Sequence, residues 1–269
     1  MVRMNLIGGG FQGDPSSTYQ KESKFISWDY NSKTNPVSFY VDYQMFDAFK
    51  DRKDGKRKFG WTMESAFIVP GLIERTIELE SDLFDVYEAI FTHDRRLLDR
   101  DERYKWLPAY GTWIKDIHVR PKSKLVSMIT SSKLFTPQHN VRLNFAKSLP
   151  SNVDLYGRGI RPILNKEEGL DDYMFSVAIE NGSYPTYFTE KFTDCLATGT
   201  VPIYMGAPDI GEHFDKSGII VLDDSFSFES LSEDLYYSMF DAVNRNSETV
   251  RNYDVLEDWL WKNWLRDMV

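Results

Sequence analysis

The sequence predicts an α/β protein of two lobes, each built on a parallel sheet covered by helices, with further helices at the C-terminus. Three observations carry that expectation. At 269 residues the chain holds two domains of ordinary size, at about 150 residues each. From residue 124 onward, short apolar runs alternate with amphipathic segments, and such runs separated by helices are what a parallel sheet buried on both faces requires. Between the halves, residues 116–124 (DIHVRPKSK) are polar, contain a proline and carry few apolar anchors, the composition of a domain boundary. The expected domains are 1–118, 119–246 and a closing helical segment, 247–269, that packs back across the lobes.

In order, the second half reads as strand 125–129, helix 139–149, strands 153–156 and 175–179, helix 189–197, strands 201–204 and 219–222, then helices 228–243 and 247–264. The first half is less regular. It offers a strand at 4–7, an extended run at 37–41, helices near 43–50 and 73–78, and an apolar run at 87–91.

Composition narrows the function classes. Hydrophobic residues make up 42% and aromatics 15% of the chain, ample for packed cores and incompatible with global disorder. The net charge of -9 argues against nonspecific nucleic-acid binding, and a phosphate-bearing ligand needs a local pocket of cations. The single Cys195 cannot form an intrachain disulfide, and four scattered histidines give no zinc-type cluster. With no apolar stretch near the roughly 18 residues of a membrane span and no signal-peptide core at the start, a soluble cytoplasmic protein is expected.

Gly8, Gly10 and Gly13 fit G-x-G-x-x-G after a strand, but in a dinucleotide fingerprint the third glycine lies inside the following helix. Here Asp14 and Pro15 follow Gly13 and read as N-cap and first residue of a helix starting later. A glycine loop closing a strand-to-helix turn is the better reading, with a nicotinamide-dependent oxidoreductase as the alternative. Asp99-Arg100-Asp101 forms a D-x-D, a metal-holding pair in some sugar transferases, yet its run of mixed charges reads as a solvated face. Asn181-Gly182-Ser183 matches a glycosylation acceptor, which needs a secretory route to be used.

The most informative stretch is 173–210, YMFSVAIENGSYPTYFTEKFTDCLATGTVPIYMGAPDI. A buried strand runs into a polar loop, then a helix with Phe192, Cys195 and Leu196 on one face, a stop at Gly199 and a second buried strand ending in Gly206. Ligands of such βαβ units sit where the strand's carboxyl end meets the helix N-terminus. Lys191 falls in the first helical turn, where a cation opposes the helix dipole unless an anion is held there. Arg142, at the start of the first helix of the same lobe, adds a second cation.

These residues resemble the α-1,3-fucosyltransferases. The family's donor motif is a strand ending in Glu-Asn, then Tyr-x-Thr-Glu-Lys, Gly-x-Val-Pro and a Gly-Ala-Pro turn. Here these are Glu180-Asn181, Tyr187-Phe188-Thr189-Glu190-Lys191, Gly199-Thr200-Val201-Pro202 and Gly206-Ala207-Pro208. Weaker resemblance extends from about Trp61 to Gly206. KLVSMITSS with Arg142 in NVRLNF looks like the strand and arginine-bearing helix of the donor lobe. WTMESAFIVPG places Glu64 where the family has a carboxylate at a strand end, with Phe84-Asp85 in the segment expected to follow as a strand.

The resemblance implies a GT-B fold, two Rossmann-like lobes facing a cleft, and an inverting, metal-independent transferase with GDP-fucose as donor and no cofactor. The acceptor would be a hydroxyl of a GlcNAc- or glucose-containing glycan, joined in an α-1,3 linkage. It also assigns roles. Glu64 would be the base that takes the acceptor proton, and Arg142 and Lys191 would hold the leaving diphosphate. Glu190 would sit by the sugar or the ribose, and Asn181 and Tyr187 would line the nucleotide or sugar with hydrogen bonds. A catalytically silent sugar-binding protein on the same fold is the reading from another class.

Overall fold

The computed structural model describes residues 1–11, 13–132, 134 and 136–269. The chain divides into two compact units, Met1–Gly111 with Asp254–Val269, and Thr112–Tyr253. Each contains one wholly parallel sheet with helical connections, so the α/β class expected from the sequence is the one found.

In the first unit the strands are β1 (Val2–Ile7), β2 (Ile26–Tyr30), β3 (Val37–Val41), β4 (Arg57–Thr62), β5 (Ala89–Thr92) and β6 (Tyr104–Trp106), in the order β2-β1-β3-β4-β5-β6. A 3-10 helix, Asp42–Asp51, follows β3; helices α1 (Leu72–Glu78) and α2 (Glu80–Phe84) follow β4, and α3 (Arg95–Leu98) follows β5. All five residues of β3 are buried because the strand is covered on both faces. On one, Phe39 meets Phe59 and Phe91 with ring centroids 5.1 and 5.8 Å apart; on the other, Tyr40 joins Met45, Ile73, Leu83 and Ile90. Burying each such side chain stabilises the unit by about 1.5–3 kcal/mol. Parallel pairing puts the carboxyl ends of β1, β3, β4 and β5 on one edge, where Gly8, Asp42, Met63 and His93 follow directly.

Several expectations for this unit change. No described residue between Gly13 and β2 is helical: Asp14 lies in a turn whose carbonyl accepts the Tyr30 hydroxyl, so the glycine loop leads into a strand, and the dinucleotide fingerprint lacks its helix. Gln12, within that loop, lies outside the described residues. The helix expected at 43–50 is a 3-10 helix, and Phe84-Asp85 ends α2 instead of forming a strand. Strands β2 and β6 were not expected, and β4 only through the strand end implied ahead of Glu64. Their sequences, ISWDY, RKFGWT and YKW, mix polar and aromatic residues. In β4 the polar Lys58 is nonetheless buried, its ammonium paired with Asp54.

In the second unit β7 (Lys124–Ile129), β8 (Asp154–Tyr156), β9 (Tyr173–Ile179), β10 (Val201–Met205) and β11 (Ile220–Val221) run in the order β11-β10-β9-β7-β8. Helix α4 (Pro137–Lys147) crosses from β7 to β8, and α5 (Glu190–Thr198) from β9 to β10. Thr136 caps α4 with a capping box, its hydroxyl taking the His139 N–H and Pro137 opening the first turn. Gly199 ends α5 in a left-handed conformation, φ +73°, which costs glycine nothing. All seven residues of the central β9 are buried, and Phe175 and Val177 share a core with Val126, Met128, Val201 and Ile203. Helices α6 (Glu233–Ser238) and α7 (Phe240–Val250) pack Tyr236 and Val243 onto it.

The expected division at 118/119 falls instead at 111/112, and the closing segment 247–269 is itself split. Thr112 and Trp113 belong to the second unit because the Thr112 hydroxyl and the Trp113 N–H both donate to Asp194 Oδ1, each at 2.7 Å. Helix α7 runs through residue 250 in that unit, whereas α8 (Leu256–Asn263) belongs to the first. There Glu257 Oε1 accepts the Ser17 N–H at 2.7 Å and the Trp28 indole N–H at 3.0 Å, and Asp258 Oδ1 accepts the Ser23 hydroxyl at 2.7 Å. Two acids placed for the helix dipole thus also clamp the loop that precedes β2. Among the described residues no helix is long and apolar enough to cross a membrane.

Candidate functional site

The carboxyl edge of the second sheet gathers most of the expected donor residues. Glu180, directly after β9, is fully buried and accepts the N–H and the hydroxyl of Thr189, both at 2.7 Å. Thr189 is the N-cap of α5, its hydroxyl also taking the Lys191 N–H at 3.3 Å. The strand end and the helix start are therefore tied through one carboxylate. Burial raises the Glu180 pKa while Lys191, whose Nζ lies 3.6 Å away, pulls it down. Gly206, at the end of β10, must lack a side chain: a Cβ there would stand 2.1 Å from the Tyr204 hydroxyl oxygen and 2.7 Å from Glu180 Cγ. That close approach is the physical content of the Gly-Ala-Pro turn.

Arg142 lies on α4 and is buried. Its Nη1 donates to Asn181 Oδ1 at 3.0 Å and its Nη2 to Ser131 Oγ at 3.5 Å, and Nε, also buried, has no partner among the described residues. Burial lowers its pKa, opposed by the charges of Glu180, Glu190 and Tyr187; a guanidinium keeps its proton regardless. Asn181, expected to contact nucleotide or sugar, is thus engaged by the expected phosphate ligand itself. Tyr187 is buried and stacked on Tyr184, ring centroids 4.8 Å apart, which makes it part of the loop's packing.

Glu190 opens α5 between two lysines. Its Oε1 lies 3.3 Å from Lys191 Nζ and 3.5 Å from Lys166 Nζ. Burial alone would raise its pKa, but the two ammonium groups, with hydrogen bonds from Lys191 and Thr189, hold it at about 2. Lys166 reaches this place from a short 3-10 turn, Lys166–Gly169. It pairs with Asp194 at 2.7 Å and covers the Trp113 ring at 4.2 Å. Burial lowers the Lys166 pKa, and Asp194 and Glu190 more than restore it.

The first unit holds Glu64, just past β4. Its Oε1 accepts the Tyr110 hydroxyl at 2.9 Å, and its carbonyl is 3.3 Å from His93 Nε2. Asp42, just past β3, accepts the N–H groups of Met63 at 2.8 Å and Glu64 at 3.3 Å. It does so with a left-handed backbone, φ +52°. Burial pushes its carboxyl up to about 7, the two N–H bonds pulling down and the Glu64 charge pushing up. His93 is buried with a lowered pKa, its desolvation outweighing Asp94, which favours the neutral imidazole.

Arg142, Asn181, Tyr187, Glu190 and Lys191 are thus all placed in the second unit, Arg142 bonded to Asn181 and Lys191 paired with both Glu180 and Glu190, and Glu64 is in the first. The sequence reading did not single out Lys166, Asp194, Asp42 or Tyr110. Asp194 carried a signal: an acid beside Cys195 and Leu196 on a buried helix needs a cation. Lys166, in the polar run NKEE, carried none. The D-x-D behaves as a surface feature, Asp101 held by Arg103 at 2.9 Å and Asp99 capping α3.

Comparison with known proteins identifies the family. Residues 119–261 match the family model "Glycosyltransferase family 10 (fucosyltransferase) C-term". An "Alpha-(1,3)-fucosyltransferase B" of Drosophila melanogaster is 48% identical over 122 residues, which is 39% of this chain and 27% of that protein. The match therefore spans about a quarter of that relative's length. A crystal structure of an α1,3-fucosyltransferase superposes with a TM-score of 0.56 at 17% identity, covering 99% of this chain and 88% of the other. Another, of an α1,3-fucosyltransferase with GDP-fucose, gives 0.51 at 17%, covering 92% and 80%. These likenesses are of fold, and they make the α/β architecture GT-B-like. With the family model matching more than half of the chain, the chain belongs to glycosyltransferase family 10, the fucosyltransferases.

Proposed function

We propose that the chain transfers L-fucose from GDP-fucose, with inversion and without a metal, to a hydroxyl of a GlcNAc- or glucose-containing glycan, forming an α-1,3 linkage. The observation that carries this reading is the convergence of Arg142, Lys191, Glu180 and Glu190 at the carboxyl ends of β7 and β9 and the N-terminus of α5. Sheet edges of this kind receive nucleotides in parallel α/β folds.

The chemistry is a single displacement. The acceptor oxygen bonds to the anomeric carbon as its proton passes to a carboxylate, assigned here to Glu64, and the bond to GDP breaks with its electrons leaving on the diphosphate. Arg142 and Lys191 balance that negative charge, with the α5 N-terminus behind them. The transition state carries positive charge on the sugar. Glu190, ionised because two lysines flank it, is suited to offset that charge or to hold sugar or ribose hydroxyls. The same ionisation makes it a poor proton acceptor, so the base is sought in the other unit. The structural relative solved with GDP-fucose supports the choice of that donor.

The test is a nucleoside-diphosphate release assay, reading GDP or UDP, that crosses GDP-fucose, GDP-mannose and UDP-sugars with GlcNAc- and glucose-terminated acceptors, with and without a chelator. Turnover with GDP-fucose that survives chelation is expected. Turnover restricted to UDP-sugars, or abolished by the chelator, overturns the donor or the metal-free part respectively. Binding of GDP without turnover on any acceptor favours the silent sugar-binding protein.

A further inference from the structure

We propose that Asp42 is a positioning residue for the base: it fixes the backbone of Met63 and Glu64 and so sets where the Glu64 carboxylate starts. The inference rests on the reading of Glu64 given above. Its basis is geometric. Asp42 and Glu64 belong to neighbouring parallel strands, β3 and β4, each following its strand's last residues on the same edge. One oxygen, Asp42 Oδ1, receives both N–H groups of the 63–64 segment, at 2.8 and 3.3 Å. That segment lies past the last residue of β4, and Asp42 holds both of its N–H groups from the end of the neighbouring strand.

The backbone at Asp42 shows that the arrangement is built in. A φ of +52° is uncommon outside glycine, and asparagine and aspartate are the side chains that tolerate it best. The turn brings the short carboxyl back across the sheet edge and buries it. From the other side, Glu64 is held by Tyr110 at its carboxylate and faces His93 at its carbonyl. The side chain of Glu64 is thereby gripped at its tip and at its root, and Asp42 supplies the root. An acceptor oxygen is all the role requires, and a protonated carboxyl or an amide offers one as well.

Three variants separate the parts of this claim. Asp42→Asn keeps both the acceptor and a side chain that accepts the left-handed backbone. Asp42→Gly keeps only the backbone, and Glu64→Gln removes the base. Misplacing a reacting group by about an ångström costs up to 10²-fold, so Asp42→Gly is expected to lose about tenfold or more in kcat. Its affinity for GDP, bound by the other unit, should hold within about twofold. Asp42→Asn should recover kcat to within about threefold of the parent. In a Glu64→Gln background Asp42→Gly should cost little further, because there is no base left to misplace.

Parental kcat in the Gly variant overturns the proposal, as does an equal further loss in the Gln background. An Asn variant that binds GDP but is as slow as the Gly variant also overturns it, and this arm decides even if the Gly variant fails to fold. If Glu64→Gln itself turns over normally, the base assignment fails first; a dead Gln variant beside a fully active Gly variant isolates the failure to Asp42.

Discussion

Glu64 and Glu190 are both glutamates at the carboxyl edge of a parallel sheet, and their surroundings differ in sign. Glu190 stands between Lys166 and Lys191, which hold it at about 2. Glu64 stands beside a second carboxyl, Asp42, which burial pushes up to about 7 and the Glu64 charge raises a little further. A carboxylate locked in its ionised form can hold hydroxyls or face a developing cation but has little affinity for a proton. On the reading proposed above, Glu190 serves as the fixed anion and Glu64 as the proton acceptor, two tasks for two residues of the same type.

The division breaks most directly at Glu64. Glu64→Gln keeps the shape and removes the proton acceptor, so kcat should fall by on the order of 10² to 10⁴ with GDP affinity nearly unchanged. A loss seen only as weaker GDP binding would move the base elsewhere in the first unit. On the other side, Arg142→Ala and Lys191→Ala each remove a charge-assisted contact worth roughly 1.5–3 kcal/mol, or about tenfold to over a hundredfold in GDP affinity by titration. Parental affinity in either variant removes that residue from the diphosphate site.

The donor side was the more legible of the two. Its residues fall within one strand, one loop and one helix, so a short stretch of sequence carries the strand-end Glu180-Asn181, the cap Thr189 and the glycine at 206 in fixed spacing. Glu64 was legible only as a carboxylate near a strand end. Asp42 was not, because its partnership with the 63–64 segment crosses from β3 to β4, and nothing local marks two strands as neighbours. Strands β2 and β6 were missed for a related reason: three to five residues of mixed polarity give no period to read. The split of 247–269 between units turns on Glu257 and Asp258, which look like ordinary first-turn acids until Ser17, Ser23 and Trp28 are seen donating to them.

Lys166 tests how far the cationic side depends on a residue with no sequence signal. Lys166→Met leaves Asp194, a fully buried acid, with the Thr112 hydroxyl and the Trp113 N–H as its donors among the described residues. Breaking a fully buried pair costs about 3–5 kcal/mol, and Lys166 retains a fifth of its side-chain exposure, so about 2 kcal/mol is expected. Adding Asp194→Asn should return most of it, read by denaturant unfolding. A single variant as stable as the parent would show that Lys166 does not anchor the cluster.

The smallest effect is a pH dependence that only the carboxyl pair can give. The folded chain holds a proton on Asp42 up to about pH 7, against the ordinary aspartate value of 3.8, so the folded state binds more protons than the unfolded one between those limits. The stabilisation is complete below 3.8 and is lost as pH rises through about 7. The groups facing Asp42 are the N–H of Met63 and of Glu64, which cannot titrate here, and the Glu64 carboxylate. Asp42→Asn keeps the acceptor and has no proton to lose. Titrations elsewhere are common to both proteins and cancel in the difference. Between pH 6 and 8 the parent should therefore lose about 1.4 kcal/mol relative to the Asn variant. That corresponds to roughly 3–5 °C in the gap between their Tm values, in a unit of this size. The gap should widen steadily as pH rises, with the Asn variant the more stable at pH 8. A gap that stays constant from pH 6 to 8 would show that Asp42 does not titrate in that range, and that burial does not set its carboxyl near 7.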